Sequence, residues 1–169
     1  MDQQSLFFTS IVAICATTLM LIFILYFAKR KNIKIDTNQK VNISYAVWII
    51  SIMIAFFLYL KPALELVENS IETIIYSTTI DNTFIAVLQK IMIFTGFTYI
   101  FTFLSYFVTD NIAKLLMGNR LETLEMEKEN IGFFLIKGIL LIGLVFTLTP
   151  IFQHFLNWFM PVVNTPFYH

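Results

Sequence analysis

Four long apolar stretches limit what this chain can fold into more than any other feature of its sequence. A helix of about 20 residues crosses a hydrocarbon core of roughly 30 Å, and each stretch has at least that length. The four stretches are residues 6–28, 41–60, 84–108 and 131–155. None shows the alternating pattern of a membrane barrel strand, so the pattern predicts helices, which satisfy every backbone polar group internally. We expect an all-α, polytopic membrane protein with four transmembrane helices.

The composition supports this fold class. Of the 169 residues, 58% are apolar and 13% are charged, whereas a soluble domain has roughly 25% charged residues. A soluble domain is therefore excluded. The 11 Lys and Arg residues balance 11 Asp and Glu residues, so no nucleic-acid partner is expected. The single cysteine, Cys15, allows no internal disulfide.

The distribution of Lys and Arg predicts how the helices are oriented. The first connection, residues 29–40, and the third, residues 109–130, together contain eight of these cations, whereas the second contains only Lys61. Short cytoplasmic connections carry an excess of Lys and Arg. We therefore expect the first and third connections to be cytoplasmic and both termini to lie outside, an N-out/C-out topology.

Asn and Pro recur at the same separation in the second and fourth apolar stretches. A shift of 88 residues places Asn42 on Asn130 and Pro62 on Pro150, and both residue types are uncommon in apolar segments. This recurrence predicts two tandem helix-pair repeats. The two Asn residues suit helix N-caps at the cytoplasmic face. The two Pro residues are expected to end or kink their helices near the outer surface.

The repeats divide one membrane domain that covers residues 1–169. Repeat 1 takes about residues 6–66 and repeat 2 about residues 84–155. Residues 67–83 are expected to be an external amphipathic connection, because apolar residues recur there at helical spacing among glutamates. Residues 156–169 are expected to be an external interfacial tail, because their aromatic rings favour the membrane–water interface.

The two Asn-containing turns carry a family resemblance. Each repeat enters its second helix through a polar turn, QKVNIS at residues 39–44 and EKENIG at residues 127–132. This tandem resembles the YjfL-type family, a group of small four-helix proteins of the bacterial inner membrane without a known function. In that family small residues follow the Asn turn, whereas this chain has Tyr45 and Phe133. The resemblance implies an inner-membrane location and, more faintly, a link to envelope stress or ion permeation.

Side chains that could carry chemistry are scarce in the predicted spans. The two histidines, His154 and His169, are not placed to face each other as axial haem ligands. Cys15 has no partner for thiol redox chemistry, and ligands at zinc-binding spacing are missing. No Asp or Glu lies inside a predicted span, so an aspartyl protease site is missing too. We expect no enzyme activity, no cofactor and no metal.

Two cations, Lys90 and Lys137, do lie inside predicted spans. A Lys at the bilayer centre costs roughly 2.5–3.5 kcal/mol or more, so such a residue is a candidate functional site. Each is the seventh residue of its span, within reach of the head groups by snorkelling. Two interpretations stay open, a snorkelling side chain and a cation that faces an internal cavity and attracts anions.

Five hydroxyl residues recur at 3-4-3-4 spacing along the third predicted helix, which places them on one narrow side of it. They are Thr95, Thr98, Thr102, Ser105 and Thr109. Such a stripe suits close packing against another helix, with hydrogen bonds across the interface, or the lining of a hydrated path. Because no ionised group lies on the stripe, a strongly charge-selective pore is not expected.

The other predicted helices also carry lines of small or polar residues. These lines are Ser10, Ala13 and Thr17 in the first helix, Ser44, Ser51 and Ala55 in the second, and Gly143, Thr147, Pro150 and His154 in the fourth. Small residues let transmembrane helices approach closely. The sequence therefore predicts a packing seam on every helix.

These observations lead to a non-catalytic membrane protein. We expect an oligomer, or a small subunit of an envelope assembly in the bacterial inner membrane, whose partners are the lipid bilayer and either further copies or another membrane protein. The alternative is a permeation protein for ions or small solutes, with a weakly selective path along the hydroxyl stripe.

Overall fold

A computed structural model describes residues 3–31, 33, 36–37, 40–75 and 82–161 of the chain. Its helices are α1 (Gln3–Arg30), α2 (Ile43–Ile75), α3 (Thr83–Met117), α4 (Glu122–Glu127) and α5 (Ile131–Asn157). Within the described residues, α1, α2, α3 and α5 are each long and apolar enough to cross a membrane. The predicted all-α class with four membrane-spanning candidates is confirmed at this level. The tandem repeat and the N-out/C-out orientation stay predictions.

A short antiparallel ladder lies between α1 and α2. It pairs β1 (Asp36–Thr37) with β2 (Lys40–Val41), so that Asp36 is opposite Val41. This ladder closes the connection between two antiparallel helices. The end of the bundle that contains the ladder, α4 and the start of α5 is called the charged end below.

The second helix is much longer than predicted. The sequence predicts a span that ends before Pro62, but α2 continues through Pro62 to Ile75. A proline removes one helical hydrogen bond, a loss that packing on both sides of it offsets here. Val67, Ile71 and Ile74 are buried beyond the proline, so this part of α2 packs into the bundle instead of lying on the membrane surface.

The connections between the helices therefore differ from the predicted ones. Residues 67–75 of the predicted external connection belong to α2, residues 76–81 lie outside the described part, and α3 begins after its N-cap Asn82. At the charged end, α3 continues to Met117, past the predicted end of the third span at residue 108. The third connection is therefore shorter than predicted.

The fourth span also continues past its proline. Pro150 lies inside α5, which ends at Asn157, so the first residues of the predicted tail are helical. Residues 162–169 of that tail lie outside the described part of the chain. Neither proline marks the end of a helix.

The second helix forms the centre of the bundle. It packs extensively against α5 and α3, while α1 packs mainly on α2 and touches α3 at few points. The buried apolar residues of α1 recur at every fourth position, at Ala16, Met20, Ile24 and Ala28. One narrow side of α1 thus faces the bundle, and α1 is the peripheral helix.

Three aromatic rings join the three central helices. The centroid of the Phe152 ring lies 4.8 Å from those of Tyr59 and Phe101. Tyr59 and Phe152 are fully buried. Tilted ring pairs at this separation add to the free energy of packing beyond the apolar area that they bury.

Two helices approach closely where Gly138 of α5 faces Ser51 of α2. A Cβ atom on Gly138 would overlap Ser51 Oγ and would lie 3.1 Å from Ser51 Cβ. The Ser51 hydroxyl donates a 2.7 Å hydrogen bond to the Val47 carbonyl, which holds it in place. The absence of a side chain at Gly138 is therefore what permits this approach.

Candidate functional site

The side chain of Lys137 is buried at the charged end, with 4% of its surface exposed. It lies six residues after the start of α5, about 9 Å along the helix. Its Nζ is 2.5 Å from Asp110 Oδ1 and also forms an ion pair with Glu122. A buried ammonium group is costly unless it is paired, and these two carboxylates provide the pairing. Lys137 is thus neither a snorkelling residue nor an unpaired cation.

Glu122, at the start of α4, is the carboxylate that connects most of the surrounding elements. Besides Lys137 of α5, it accepts a 2.6 Å hydrogen bond from Lys31 Nζ at the end of α1. Burial alone would raise the pKa of the Glu122 carboxyl, but the ammonium groups of Lys137 and Lys31 lower it below its usual value. Glu122 is therefore held as a carboxylate.

The ionised groups that meet at this point form one set, called the charge cluster below. Its members are Lys31, Asp110, Lys114, Glu122 and Lys137. Lys114 is the more exposed partner of Asp110, four residues away on the same helix, at 2.6 Å. The cluster connects α1, α3, α4 and α5 through ion pairs.

Two aromatic residues extend the charge cluster to α2. The Tyr106 hydroxyl donates a hydrogen bond to Glu122, and Trp48 Nε1 donates a 2.9 Å hydrogen bond to the Tyr106 hydroxyl. Lys137 Nζ lies 4.6 Å from the centroid of the Tyr106 ring, which suits a cation–π contact. All five helices are thereby connected at the charged end.

Asn42 and Asn130 lie beside this cluster at the starts of the two helices that run back from the charged end. Asn42 Oδ1 accepts a hydrogen bond from Ser44 N, and Asn130 Oδ1 accepts one from Phe133 N. Asn130 is the N-cap of α5. Their other amide atoms face α4, because Asn42 Nδ2 donates to the Met126 carbonyl at 3.1 Å and Asn130 Nδ2 to Glu125 at 2.5 Å.

Lys90 lies near the opposite end of the bundle. Its Nζ donates a 2.6 Å hydrogen bond to the carbonyl of Phe159, just after α5. Cations interact favourably with the carbonyl end of a helix. Lys90 and Lys137 are therefore far apart, and each has a partner of its own.

The hydroxyl stripe of α3 is mostly buried. Thr98, Thr102, Ser105 and Thr109 are buried, and Thr95 is partly exposed. The hydroxyls of Thr95, Thr98 and Thr102 each donate to the carbonyl four residues earlier in α3. Ser105 Oγ shares a 2.9 Å hydrogen bond with the Tyr59 hydroxyl of α2. These are the contacts of a packed interface.

The predicted seams divide into two groups. On α2, Ser44, Ser51 and Ala55 are buried. On α5, by contrast, Gly143 and Thr147 are exposed. Pro150 and His154, in the same line, are exposed as well. In the line on α1, Ser10 is exposed, while Ala13 and Thr17 are half-buried. The seam of α5 thus faces away from the bundle, whereas the seam of α1 is partly covered.

Large apolar residues, together with Gly138, form most of the buried side of α5. Phe134, Leu141, Val145 and Phe152 lie against the rest of the bundle. Because lipid is as apolar as a protein core, composition alone does not tell which side of such a helix is buried.

Six residues of this site were not predicted from the sequence, namely Lys31, Trp48, Tyr106, Asp110, Lys114 and Glu122. Asp110 and Glu122 fall in the segment expected to be a cytoplasmic connection. One signal could have placed Asp110 on a helix, since Asp110 and Lys114 have the i, i+4 spacing of a helical ion pair. Among the described residues, no three His, Cys, Asp or Glu side chains are placed to hold a metal ion.

No protein-family model, curated protein or solved structure matches this chain.

Proposed function

We propose that the protein is a non-enzymatic membrane subunit that assembles with further copies of itself through the outward side of α5. The observation that carries this proposal is the exposed line of Gly143, Thr147 and Pro150. Nothing in the described part of the chain lies within 4 Å of a Cβ added to Gly143. The line is thus available to a second copy.

The chemistry of this line suits contact between helices. Gly143 and Thr147 are separated by four positions, the spacing at which two small residues let helix backbones approach in a bilayer. The Thr147 hydroxyl donates to the Gly143 carbonyl at 2.9 Å, so its one donor is used within α5. The exposed side chains of Ile139, Phe146 and Ile151 flank the line and provide the surrounding apolar contact.

The place of this assembly follows from the sequence. The resemblance to the YjfL-type family supports the inner membrane of a bacterium and an envelope assembly, and the excess of Lys and Arg supports a cytoplasmic charged end. The charge cluster, which fastens α4 to the other helices, then serves to keep the subunit folded rather than to catalyse a reaction.

The permeation alternative receives less support. A hydrated path along α3 requires hydroxyls that water can reach. Instead, Thr98 and Thr102 donate to their own helix and are fully buried. This arrangement favours packing as the role of the stripe.

Native mass spectrometry of the protein in nanodiscs tests the proposal. We expect the wild-type chain to be an oligomer and Gly143→Ile to be mainly a monomer with a nearly unchanged melting temperature, since a Cβ at Gly143 meets no other part of the described subunit. Gly96→Ile on α3 is the matched control, because a Cβ at Gly96 also meets nothing. It should stay oligomeric.

Two results would contradict the proposal. A wild-type chain that is strictly monomeric and brings no protein partner with it would exclude assembly as its function. An oligomer that Gly143→Ile and Gly96→Ile leave equally intact would exclude the outward side of α5 as the interface.

A further inference from the structure

The short helix α4 is joined to the rest of the bundle at few points. None of the extensive contacts between helices involves it. Besides the ion pairs of Glu122, its attachments include the buried Met126 side chain and the 3.1 Å hydrogen bond from Asn42 Nδ2 to the Met126 carbonyl. Leu121 and Leu124, by contrast, are exposed. The attachment of α4 to the bundle is therefore largely polar.

A turn at each end separates α4 from the long helices beside it. Gly118, which follows α3, has φ +81°, a conformation that residues with a side chain rarely adopt. Glu129, with φ +52°, is the left-handed residue that follows α4. Changes of φ and ψ at a few such terminal residues are enough to move a segment while its neighbours keep their places. Residues 118–129 are called the lid below.

The donors that hold the Glu122 carboxylate all belong to the long helices or their ends. Its Oε2 accepts a 2.6 Å hydrogen bond from Lys31 Nζ at the end of α1. Its Oε1 accepts from Lys137 Nζ of α5 and from the Tyr106 hydroxyl of α3. Trp48 Nε1 of α2 donates to the same hydroxyl, which leaves the hydroxyl hydrogen for the carboxylate. These donors therefore remain on the bundle when the lid moves.

The converging donors have the chemistry of an oxyanion site. Charge-assisted hydrogen bonds from ammonium groups are the usual means of binding a carboxylate or a phosphate. The side chain of Lys137 is only 4% exposed, so the site is built into the bundle and not on its surface. Without Glu122, the charge cluster contains three ammonium groups, Lys31, Lys114 and Lys137, and one carboxylate, Asp110, a net charge of +2. The remaining cluster therefore attracts an anion.

We infer that Glu122 occupies, as an internal ligand, a binding site for a carboxylate or phosphate group of another molecule. When the lid moves away, the oxyanion of that molecule takes the place of the Glu122 carboxylate between Lys31 and Lys137. The lid keeps the site closed while no ligand is bound, and the buried ammonium group is paired in both states. The site does not use the exposed line of α5, so it is independent of the proposed assembly.

A variant without the internal ligand tests the site itself. Glu122→Ala, in micelles of a detergent without phosphate, is melted in potassium acetate, phosphate or chloride of equal ionic strength. A ligand that binds the folded state raises the melting temperature, so acetate and phosphate should raise it by several degrees relative to chloride. Glu65→Ala, which removes an exposed carboxylate of α2, is the control and should show only the general effect of these salts. Equal salt effects on the two variants would overturn the inference.

Hydrogen exchange of the wild-type protein tests the lid and does not depend on the folding of a variant. A series of increasing acetate or phosphate should raise the exchange rate of the α4 amides several-fold relative to chloride, because the anion competes with Glu122. Amides at the centre of α2 should stay protected. Exchange in α4 that both anions leave unchanged, or slow, would overturn the inference.

A last arm of the exchange experiment distinguishes two sources of the oxyanion. Phosphatidylglycerol is added to the micelles, with chloride as the only soluble anion. The same rise of exchange in α4 would identify the phosphate of a lipid head group as the ligand, whereas a rise with acetate or phosphate alone would identify a soluble molecule.

Discussion

Lys137 shows how a single charged side chain is accommodated in an apolar bundle. Its ammonium group meets two carboxylates from different elements, Asp110 of α3 and Glu122 of α4. Removing one partner of a buried ion pair leaves an uncompensated charge, which is far more costly than replacing the whole pair by apolar groups. The charge cluster should therefore tolerate loss of all its buried charges better than loss of one.

We expect Lys137→Met to lower the free energy of unfolding by about 3 kcal/mol, the usual cost of breaking a buried ion pair. The triple variant Lys137→Met, Asp110→Asn and Glu122→Gln should recover a large part of this loss. Thermal melting in detergent measures both. The triple variant could instead melt below Lys137→Met by the summed losses of Asp110→Asn and Glu122→Gln. In that case the three residues act independently and the cluster is not a unit.

The protonation of Glu122 gives the cluster a pH dependence. Although burial raises its pKa, Lys137 and Lys31 lower it below the unfolded value, so the carboxylate form is the one that stabilises the fold. Its contribution is complete above the usual carboxyl pKa and is lost as the pH falls through the lower folded pKa. We expect the wild-type melting temperature to fall when the pH is lowered below about 4.

The matched variant for this titration is Glu122→Gln. Its melting temperature should be lower than that of the wild type at neutral pH and should fall less on acidification. Glu65→Gln, on an exposed position of α2, should follow the wild-type profile. A wild-type and a Glu122→Gln curve that stay parallel down to acidic pH would show that Glu122 contributes nothing to the acid sensitivity.

The helices could be predicted from the sequence, but their ends and buried sides could not. Twenty or more apolar residues in a row predict a membrane-spanning helix by length alone. The end of α3 was misplaced because Asp110 reads as the start of a polar connection, although a partner 27 residues later in the sequence compensates its charge. Such a pairing depends on which helices become neighbours.

The same limit applies to the seams. On α3 the hydroxyl stripe lies in the packed interface, whereas on α5 the line through Gly143 lies outside it. Both lines have the same spacing and similar residue types. Only the arrangement of the helices distinguishes them. In a bilayer both sides of a helix lie in apolar surroundings, so the polarity of a side does not show whether it faces the bundle.

Close packing between α2 and α5 predicts a position-specific effect of volume. Gly138→Val should lower the free energy of unfolding by about 1–3 kcal/mol, the usual cost of overpacking, since the new side chain overlaps Ser51. Gly96→Val has the same change in helix propensity and meets no neighbour, so it should melt close to the wild type. Similar melting temperatures for the two variants would show that α2 and α5 do not approach at Gly138.

The hydroxyl stripe predicts a small change in stability without any change in flux. Thr98→Val with Thr102→Val removes two hydroxyls that bond within α3, and a hydrogen bond contributes about 0.5–1.5 kcal/mol net to stability. We expect a slightly lower melting temperature and no ion-driven dye quenching in liposomes for either protein. Robust flux through the wild type that disappears in the variant would favour a hydrated path.

In the molecule as a whole, one side of α5 packs against the bundle and the other side is exposed. The centre of the molecule is α2, its charged end is fastened by ion pairs, and its outward seam on α5 remains without a neighbour in the described residues.

Disulfide cross-linking in native membranes tests this assembly most directly. In a Cys15→Ala background, Thr147→Cys on α5 is compared with Ile100→Cys on α3, which is 57% exposed and lies at a similar number of residues from the charged end. On mild oxidation, Thr147→Cys should give a species of about twice the 19.7 kDa of the chain, and Ile100→Cys should not. Absence of that species from Thr147→Cys, or equal amounts from both variants, would contradict assembly through α5.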